Sequence, residues 1–296
     1  MAFDSIRQTL FHLRSLPEIE SKAVYSITTN GSLFNHEILK ILNEFNFTVV
    51  LSFDGFAQDI SRQPGSFDHM LRLIRKIHDF DRIVLRTHSV FTPETVDTIS
   101  ESMKLIYDLG IESAGFNLSY GLPWTDRALD RFRSEMEKVA LFYAGIYRQS
   151  SSIPISIFHK SQRLGITSCF GGQHNICLAP DESLWGCILT YDFAKASGDQ
   201  SVAKKYSFGK LDHFIEHYES IYPEIVFNYS QIGLDKCRSR MRPCIECLDF
   251  LECTICPLAA AFGSHRIGVI PDWVCAIRQI IQKGNETFWG KIETAV

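Results

Sequence analysis

Eight of the nine cysteines in this 296-residue chain are spaced for metal chemistry. They run Cys169, seven residues, Cys177, nine residues, Cys187, then Cys244-x2-Cys247-x5-Cys253-x2-Cys256, then eighteen residues to Cys275. Thiolates are soft ligands, and eight of them make two complete four-sulfur sets, which suit iron–sulfur clusters or zinc. The paired C-x2-C elements do not choose between those two. Cys237 is left over and reads as an ordinary buried thiol.

The cysteines need a scaffold, and their distribution marks it. None precedes Cys169, which places a boundary near residues 150–165, with the polar run Arg148-Gln149-Ser150-Ser151-Ser152 as a joint. The expected division is 1–155 and 156–296. A composition of 45% hydrophobic and 22% charged residues is that of ordinary globular protein. The formal charge of -4 gives no basic footprint for nucleic acid or acidic lipid. The opening MAFDSIRQTL lacks a signal-peptide core, and no uncharged apolar run approaches the length of a membrane span. The expected location is the cytoplasm, where nine cysteines point to metal or catalysis rather than to disulfides.

Upstream of the cysteines, periodicity predicts repeated strand and helix. Phe3, Ile6, Leu10 and Leu13 share a helix face, so the chain opens on a helix. Strand-length apolar runs follow at 24–28, 48–53, 83–90 and 113–118, each trailed by a helical pattern, among them 66–79, 94–109 and 126–148. Four strands and five helices in this order predict parallel βα units and an α/β fold. Each strand ends on polar residues: Thr28-Thr29-Asn30, Ser52-Phe53-Asp54, Arg86-Thr87-His88-Ser89 and Asn117-Leu118-Ser119-Tyr120. Ligands of parallel α/β proteins bind at the carboxyl ends of strands, so these endings mark one candidate site. The first strand is left with one unpaired edge.

The cysteine half carries further landmarks: Gly171-Gly172 after Cys169, the turn Ala179-Pro180-Asp181, Phe208-Gly209-Lys210-Leu211, and Cys256-Pro257. In that order they resemble the SPASM domain, the auxiliary-cluster module that follows the barrel of peptide- and protein-modifying radical-SAM enzymes such as anaerobic sulfatase-maturating enzymes. The resemblance extends upstream. The segment Ile27-Thr28-Thr29-Asn30-Gly31-Ser32-Leu33 is similar to the family's TNG strand ending, and Leu51-Ser52-Phe53-Asp54-Gly55 to its S-x-D-G. Asp59-Ile60-Ser61-Arg62, followed by Gly65-Ser66-Phe67-Asp68, resembles H-D-x-x-R and its helix start, with Gln58 in place of histidine.

The resemblance implies a partial radical-SAM barrel followed by a cysteine-rich domain with small β elements. It implies one auxiliary 4Fe–4S cluster on Cys169, Cys177, Cys187 and Cys256, and a second on Cys244, Cys247, Cys253 and Cys275. By the same match Ser52 and Arg62 contact S-adenosylmethionine, a role a hydroxyl and a guanidinium suit. Asp54-Gly55 reads as turn chemistry rather than catalysis. The implied partners are a peptide or protein substrate and an electron donor such as ferredoxin or flavodoxin.

The sequence departs from the family pattern in places. Two residues separate Cys253 from Cys256 where three are usual, Pro180-Asp181-Glu182 replaces Pro-Asp-Gly, and Ile188 stands where sulfatase-maturating members carry an aspartate. The C-x3-C-x2-C loop that binds the catalytic cluster is absent, as is the G-G-E segment. The expectation is an N-terminally shortened member whose complete form is an enzyme and whose 296 residues alone are inactive. The alternatives are a cluster- and peptide-binding accessory protein, or a structural zinc protein.

Overall fold

The computed structural model describes residues 2–111, 113–158, 168–239 and 242–294. The chain divides into two compact units: Met1–Ser119, Asp130–His159 and Lys283–Val296 form the first, and Tyr120–Leu129 and Lys160–Gln282 the second. Part of the expected boundary falls on residues 159–167, outside the described residues. No described helix is long and apolar enough to cross a membrane.

The first unit follows the predicted alternation: α1 (Ala2–Arg14), α2 (Pro17–Glu20), β1 (Ser26–Thr29), α3 (His36–Glu44), β2 (Thr48–Leu51), α4 (Gln58–Ser61), α5 (Ser66–Ile77), β3 (Val84–Phe91), α6 (Ile99–Asp108), β4 (Ser113–Leu118) and α7 (Asp126–Ser150), whose residues 126–129 belong to the second unit. Seven helices replace the five expected, because α2 and α4 are four residues each and too short to show a period. Local chemistry sets the helix starts. The Asn35 side chain accepts the Ile38 N–H at 2.9 Å and caps α3. The helix expected from residue 94 begins only at Ile99. The Thr92 and Thr95 hydroxyls instead bond the amides of residues 92, 94 and 95, competing with a helical first turn.

The strands form one parallel sheet in the order β1-β2-β3-β4. Residues 154–156 extend it beside β4, the Ala114 amide donating to Pro154 and the Ser156 amide to Ala114. Among the described residues β1 has no partner on its outer side, as expected.

Register separates the two faces. Val49, Leu51, Phe53, Leu85, Phe91, Ala114, Phe116 and Leu118 are buried on one of them. The other presents Thr28, Val50, Ser52, Arg86, His88, Ser113 and Asn117, all half-buried or exposed. Parallel sheets are normally apolar on both faces, so a half-polar one marks a face that serves something besides a core.

The second unit carries smaller elements: β5 (Cys177–Leu178), β6 (Ser183–Trp185), α8 (Ile188–Ser197), α9 (Gln200–Tyr206), β7 (Ser207–Lys210), α10 (Leu211–Glu216), α11 (Tyr218–Ser230), β8 (Arg238–Ser239), α12 (Pro257–Ser264), β9 (Val269–Ile270) and α13 (Asp272–Glu293). The last of these crosses the division between the units at Gln282–Lys283. Strands β5, β6 and β7 make an antiparallel sheet, and β8 pairs with β9. One apolar core holds Trp185, Phe193, Tyr206, Phe208, Phe214 and Tyr229. A second holds Leu234, Cys237, Ile255, Ile270 and Val274.

Candidate functional site

Seven of the eight spaced cysteines sort between those two cores, and Cys247 packs against neither. Cys169, Cys177, Cys187 and Cys256 pack, partly buried, against the aromatic core. Cys244, Cys253 and Cys275 pack against the other. Electrostatics repeats the grouping. Burial pushes the Cys169 and Cys187 thiols up, and the charge of Cys256 pushes both further, with Cys177 adding to Cys187. Burial pushes Cys275 up to about 12, with Cys244, Cys253 and Cys247 all contributing. Cys244 and Cys253 are raised for the same reasons.

Among the described residues no three Cys, His, Asp or Glu side chains converge tightly enough to grip a single metal ion. The two groups are therefore neighbourhoods rather than closed tetrahedral cages. Their chemistry fits thiolate-bound clusters: the donors are sulfur only, the surroundings are of low polarity, and backbone amides aim at the sulfurs. The Gly171 N–H reaches Cys169, those of Leu189 and Thr190 reach Cys187, and that of Ile255 reaches Cys253. Each such bond favours the thiolate, and a bound metal's charge offsets the remaining cost of burial.

Sequence reasoning missed the residue that holds the first group together. Tyr229 of α11 is fully buried, and its hydroxyl accepts the Gly186 N–H at 3.2 Å, donates to the Tyr206 carbonyl at 3.1 Å and lies 2.5 Å from Thr190 Oγ1. Its ring lies where glycines leave room: a Cβ on Gly171 or on Gly186 would come within 2.5 Å of it. Gly171 follows Cys169 closely and Gly186 directly precedes Cys187, so one tyrosine clamps both cysteine loops. The signal available in sequence was these glycines beside cysteines. Tyr229→Phe, which strands a buried amide and a buried carbonyl, is expected to lower unfolding stability by about 1–3 kcal/mol in denaturant titrations.

The turn after Cys177 explains one departure. Glu182 adopts φ 64°, the left-handed region where glycine is usual. Ser183 bonds and the Lys195 ion pair at 3.0 Å fix Asp181 beside it and hold its carboxyl well below the usual carboxylate range. Cys237 is buried and donates its S–H to the Gly233 carbonyl at 3.1 Å.

Ser52 and Arg62 lie in the first unit. Ser52 directly follows β2 on the polar face, and its hydroxyl makes no hydrogen bond among the described residues. Arg62 grips Asp54 with two parallel bonds, Nε to Oδ2 at 2.7 Å and Nη2 to Oδ1 at 3.0 Å. Asp54 is 1% exposed and also accepts from Ser61 Oγ at 2.6 Å and from the Val90 N–H at 2.8 Å. It is thus a buried anchor joining the end of β2 to β3, not only a turn residue. Gln58 completes the loop: its Oε1 accepts the Asp54 N–H at 2.9 Å and its Nε2 donates to Ser66 Oγ at 3.2 Å.

His88 of β3 stands beside this anchor. Burial depresses its pKa below the ordinary 6.5, while Asp54 pulls it up and Arg62 pushes it down. The folded state therefore prefers neutral imidazole. As pH falls below 6.5 the unfolded chain takes the proton first, so stability declines until the lower folded value is passed. Denaturant unfolding between about pH 7 and pH 5 should show this slope, and His88→Gln should remove its share.

No family model matches the chain, and no curated protein matches it. Solved structures do. Native anSMEcpe with bound AdoMet superposes at a TM-score of 0.68 with 16% identity, covering 97% of this chain and 81% of that one. The same enzyme with AdoMet and the Cp18Cys peptide gives 0.67 and 16%, covering 97% and 82%. Streptococcus suis SuiB bound to S-adenosylmethionine gives 0.50 and 14%, covering 89% and 61%. The parallel four-stranded sheet with its helices is the α/β fold of anSMEcpe, an anaerobic sulfatase-maturating enzyme of the radical-SAM/SPASM class, and of the peptide modifier SuiB.

Proposed function

We propose that this chain is a radical-SAM/SPASM-type iron–sulfur protein that acts on a peptide or protein and holds two auxiliary 4Fe–4S clusters. The observation that carries the reading is the sorting of seven of these cysteines between two cores, with Cys247 joined to the second group through its charge on Cys275, Cys244 and Cys253. Cys169, Cys177, Cys187 and Cys256 hold the first cluster, and Cys244, Cys247, Cys253 and Cys275 the second. Bound clusters supply one-electron redox capacity and anchoring charge. The protein's own part is to desolvate the thiolates, orient amides onto them and clamp the loops through Tyr229.

The polar face of the sheet receives S-adenosylmethionine. Ser52 offers a free hydroxyl, and Arg62, oriented by Asp54, keeps Nη1 for a carboxylate. Peptide-bound structures of the same fold make a peptide the favoured co-substrate, and a small electron-transfer protein would serve as donor. The 296 residues hold no C-x3-C-x2-C loop, so the chain by itself has no catalytic cluster with a site open for S-adenosylmethionine. Reconstituted protein with dithionite is expected to bind S-adenosylmethionine in equilibrium dialysis yet yield no 5′-deoxyadenosine by chromatography. Absence of binding would overturn the reading of the sheet face, and turnover above background the reading of the cysteines.

A further inference from the structure

Helix α13 brings more than a cysteine to the second group. Cys275, Arg278, Gln279 and Gln282 recur at helical spacing and share one face. That face meets residues 249–253. Arg278 Nη2 donates to the Glu252 carbonyl at 2.7 Å, one residue before Cys253. Its Nη1 donates to Gln282 Oε1 and lies 3.6 Å from Asp249 Oδ2. Gln279 Nε2 reaches the same Asp249 oxygen at 3.4 Å, and Gln282 Nε2 reaches Glu252 Oε2 at 3.3 Å. The Arg278 side chain is 10% exposed, whereas that of Asp249 is 40% exposed. All of these residues belong to the second unit.

Burying a guanidinium is costly unless counter-charge offsets the cost. Asp249 offsets only part of it, because the pair is long and water screens the carboxylate. The rest of the field falls on sulfur. Burial raises the Cys253 thiol; the Ile255 amide and then Arg278 oppose that rise, and Arg278 outweighs Asp249. By contrast, the side-chain charges acting on Cys169 and Cys187 come from other cysteines. Two exposed groups also face the second group: Arg242, whose Nη2 lies 3.9 Å from Cys247 Sγ, and Asp272, which acts on Cys275 in the opposite sense.

We propose that Arg278 is a positioning residue that sets the redox potential of the second auxiliary cluster. It ties the residue before Cys253 to the helix that bears Cys275, and so fixes two of the proposed ligands relative to one another. Its charge favours the more negative, one-electron-reduced state of a thiolate-bound cluster, because charge and hydrogen bonding around the sulfurs tune the potential. No bond forms or breaks in that step; one electron passes from the proposed donor to the cluster. The inference rests on the two-cluster reading and adds to it a residue that tunes one of the two.

Potentiometric titration of the reconstituted full chain, followed by electron paramagnetic resonance, tests this. The parent should show two one-electron steps, and the step missing from Cys275→Ala belongs to the second cluster. Arg278→Gln should lower that step by about 59 mV, a tenfold fall in the reduction equilibrium, and leave the other in place. Asp249→Asn should raise the same step, because the guanidinium loses its opposing charge. Opposite shifts from two facing residues report charge, whereas a loosened loop would move both the same way. Arg278→Lys, which keeps the charge without the fork, should stay near the parent potential. The proposal is overturned if Arg278→Gln leaves both steps in place, or if Arg278→Gln and Asp249→Asn move the step in the same direction. Should Arg278→Gln fail to take up iron, an unmoved or lowered step in Asp249→Asn overturns it alone. A parent holding about four iron, or about two zinc, would overturn the two-cluster reading instead.

Discussion

Protein reconstituted anaerobically with iron and sulfide is expected to carry about eight iron and eight sulfide per chain, the content of two cubane clusters on eight thiolates. Cys187→Ala or Cys256→Ala should fall to about four of each, and Cys237→Ala should keep all eight. The effect should reach beyond metal content. Cys187 opens α8, Cys256 opens α12, and both lean on the aromatic core of the second unit. A cluster joining them to Cys169 and Cys177 ties segments far apart in sequence, and its binding energy becomes folding energy. The ligand variants should therefore lose far-ultraviolet ellipticity on mild heating while Cys237→Ala does not. A colourless protein with about two zinc ions would overturn the assignment in favour of a structural zinc site.

Asp54→Ala is expected to lower stability by about 1–3 kcal/mol, the cost of leaving buried hydrogen-bond partners unsatisfied, since the Arg62 side chain is 29% exposed and keeps some solvation. The substitution leaves the Val90 amide without its acceptor and Arg62 without its counter-charge, at the point where β2 is tied to β3. The double substitution Asp54→Ala with Arg62→Ala should cost less than the sum of the singles, because no unpaired charge remains. Chemical denaturation of the four proteins measures this coupling. A loss under about 1 kcal/mol for Asp54→Ala would show that water replaces the network without penalty.

Much of the fold was legible in the sequence, because apolar runs of strand length alternate with helical periods. Ser113–Leu118 is a strand as read, and the opening helix extends the predicted one by a residue at each end. Val24, 88% exposed, lies outside the strand it was expected to begin, because its apolar character finds no neighbour to pack against. The polar residues read at the strand endings belong to one sheet, but their order in the sequence does not show which of them share a face. Polarity is not confined to the ends: Thr28, Arg86 and His88 lie within the strands, and only the register shows that they share a face with Ser52. Asp54 looked like a turn residue because its three donors come from Arg62, Ser61 and the distant Val90. Tyr229 carries no spacing signal at all, and its clamp becomes visible only when Gly171 and Gly186 are seen against its ring.

The interleaving of the cysteine groups also sets the timing of synthesis. Chains emerge from the ribosome amino end first. Under the proposed ligation, Cys169, Cys177 and Cys187 must wait as an incomplete trio until Cys256 emerges. By then Cys244, Cys247 and Cys253 are also exposed, and only Cys275 is outstanding. Six soft thiols thus share the solvent with no closed site between them, and both sites close within the short stretch from Cys256 to Cys275. Growth conditions that starve cluster delivery late in translation should yield chains lacking both clusters rather than a population holding one.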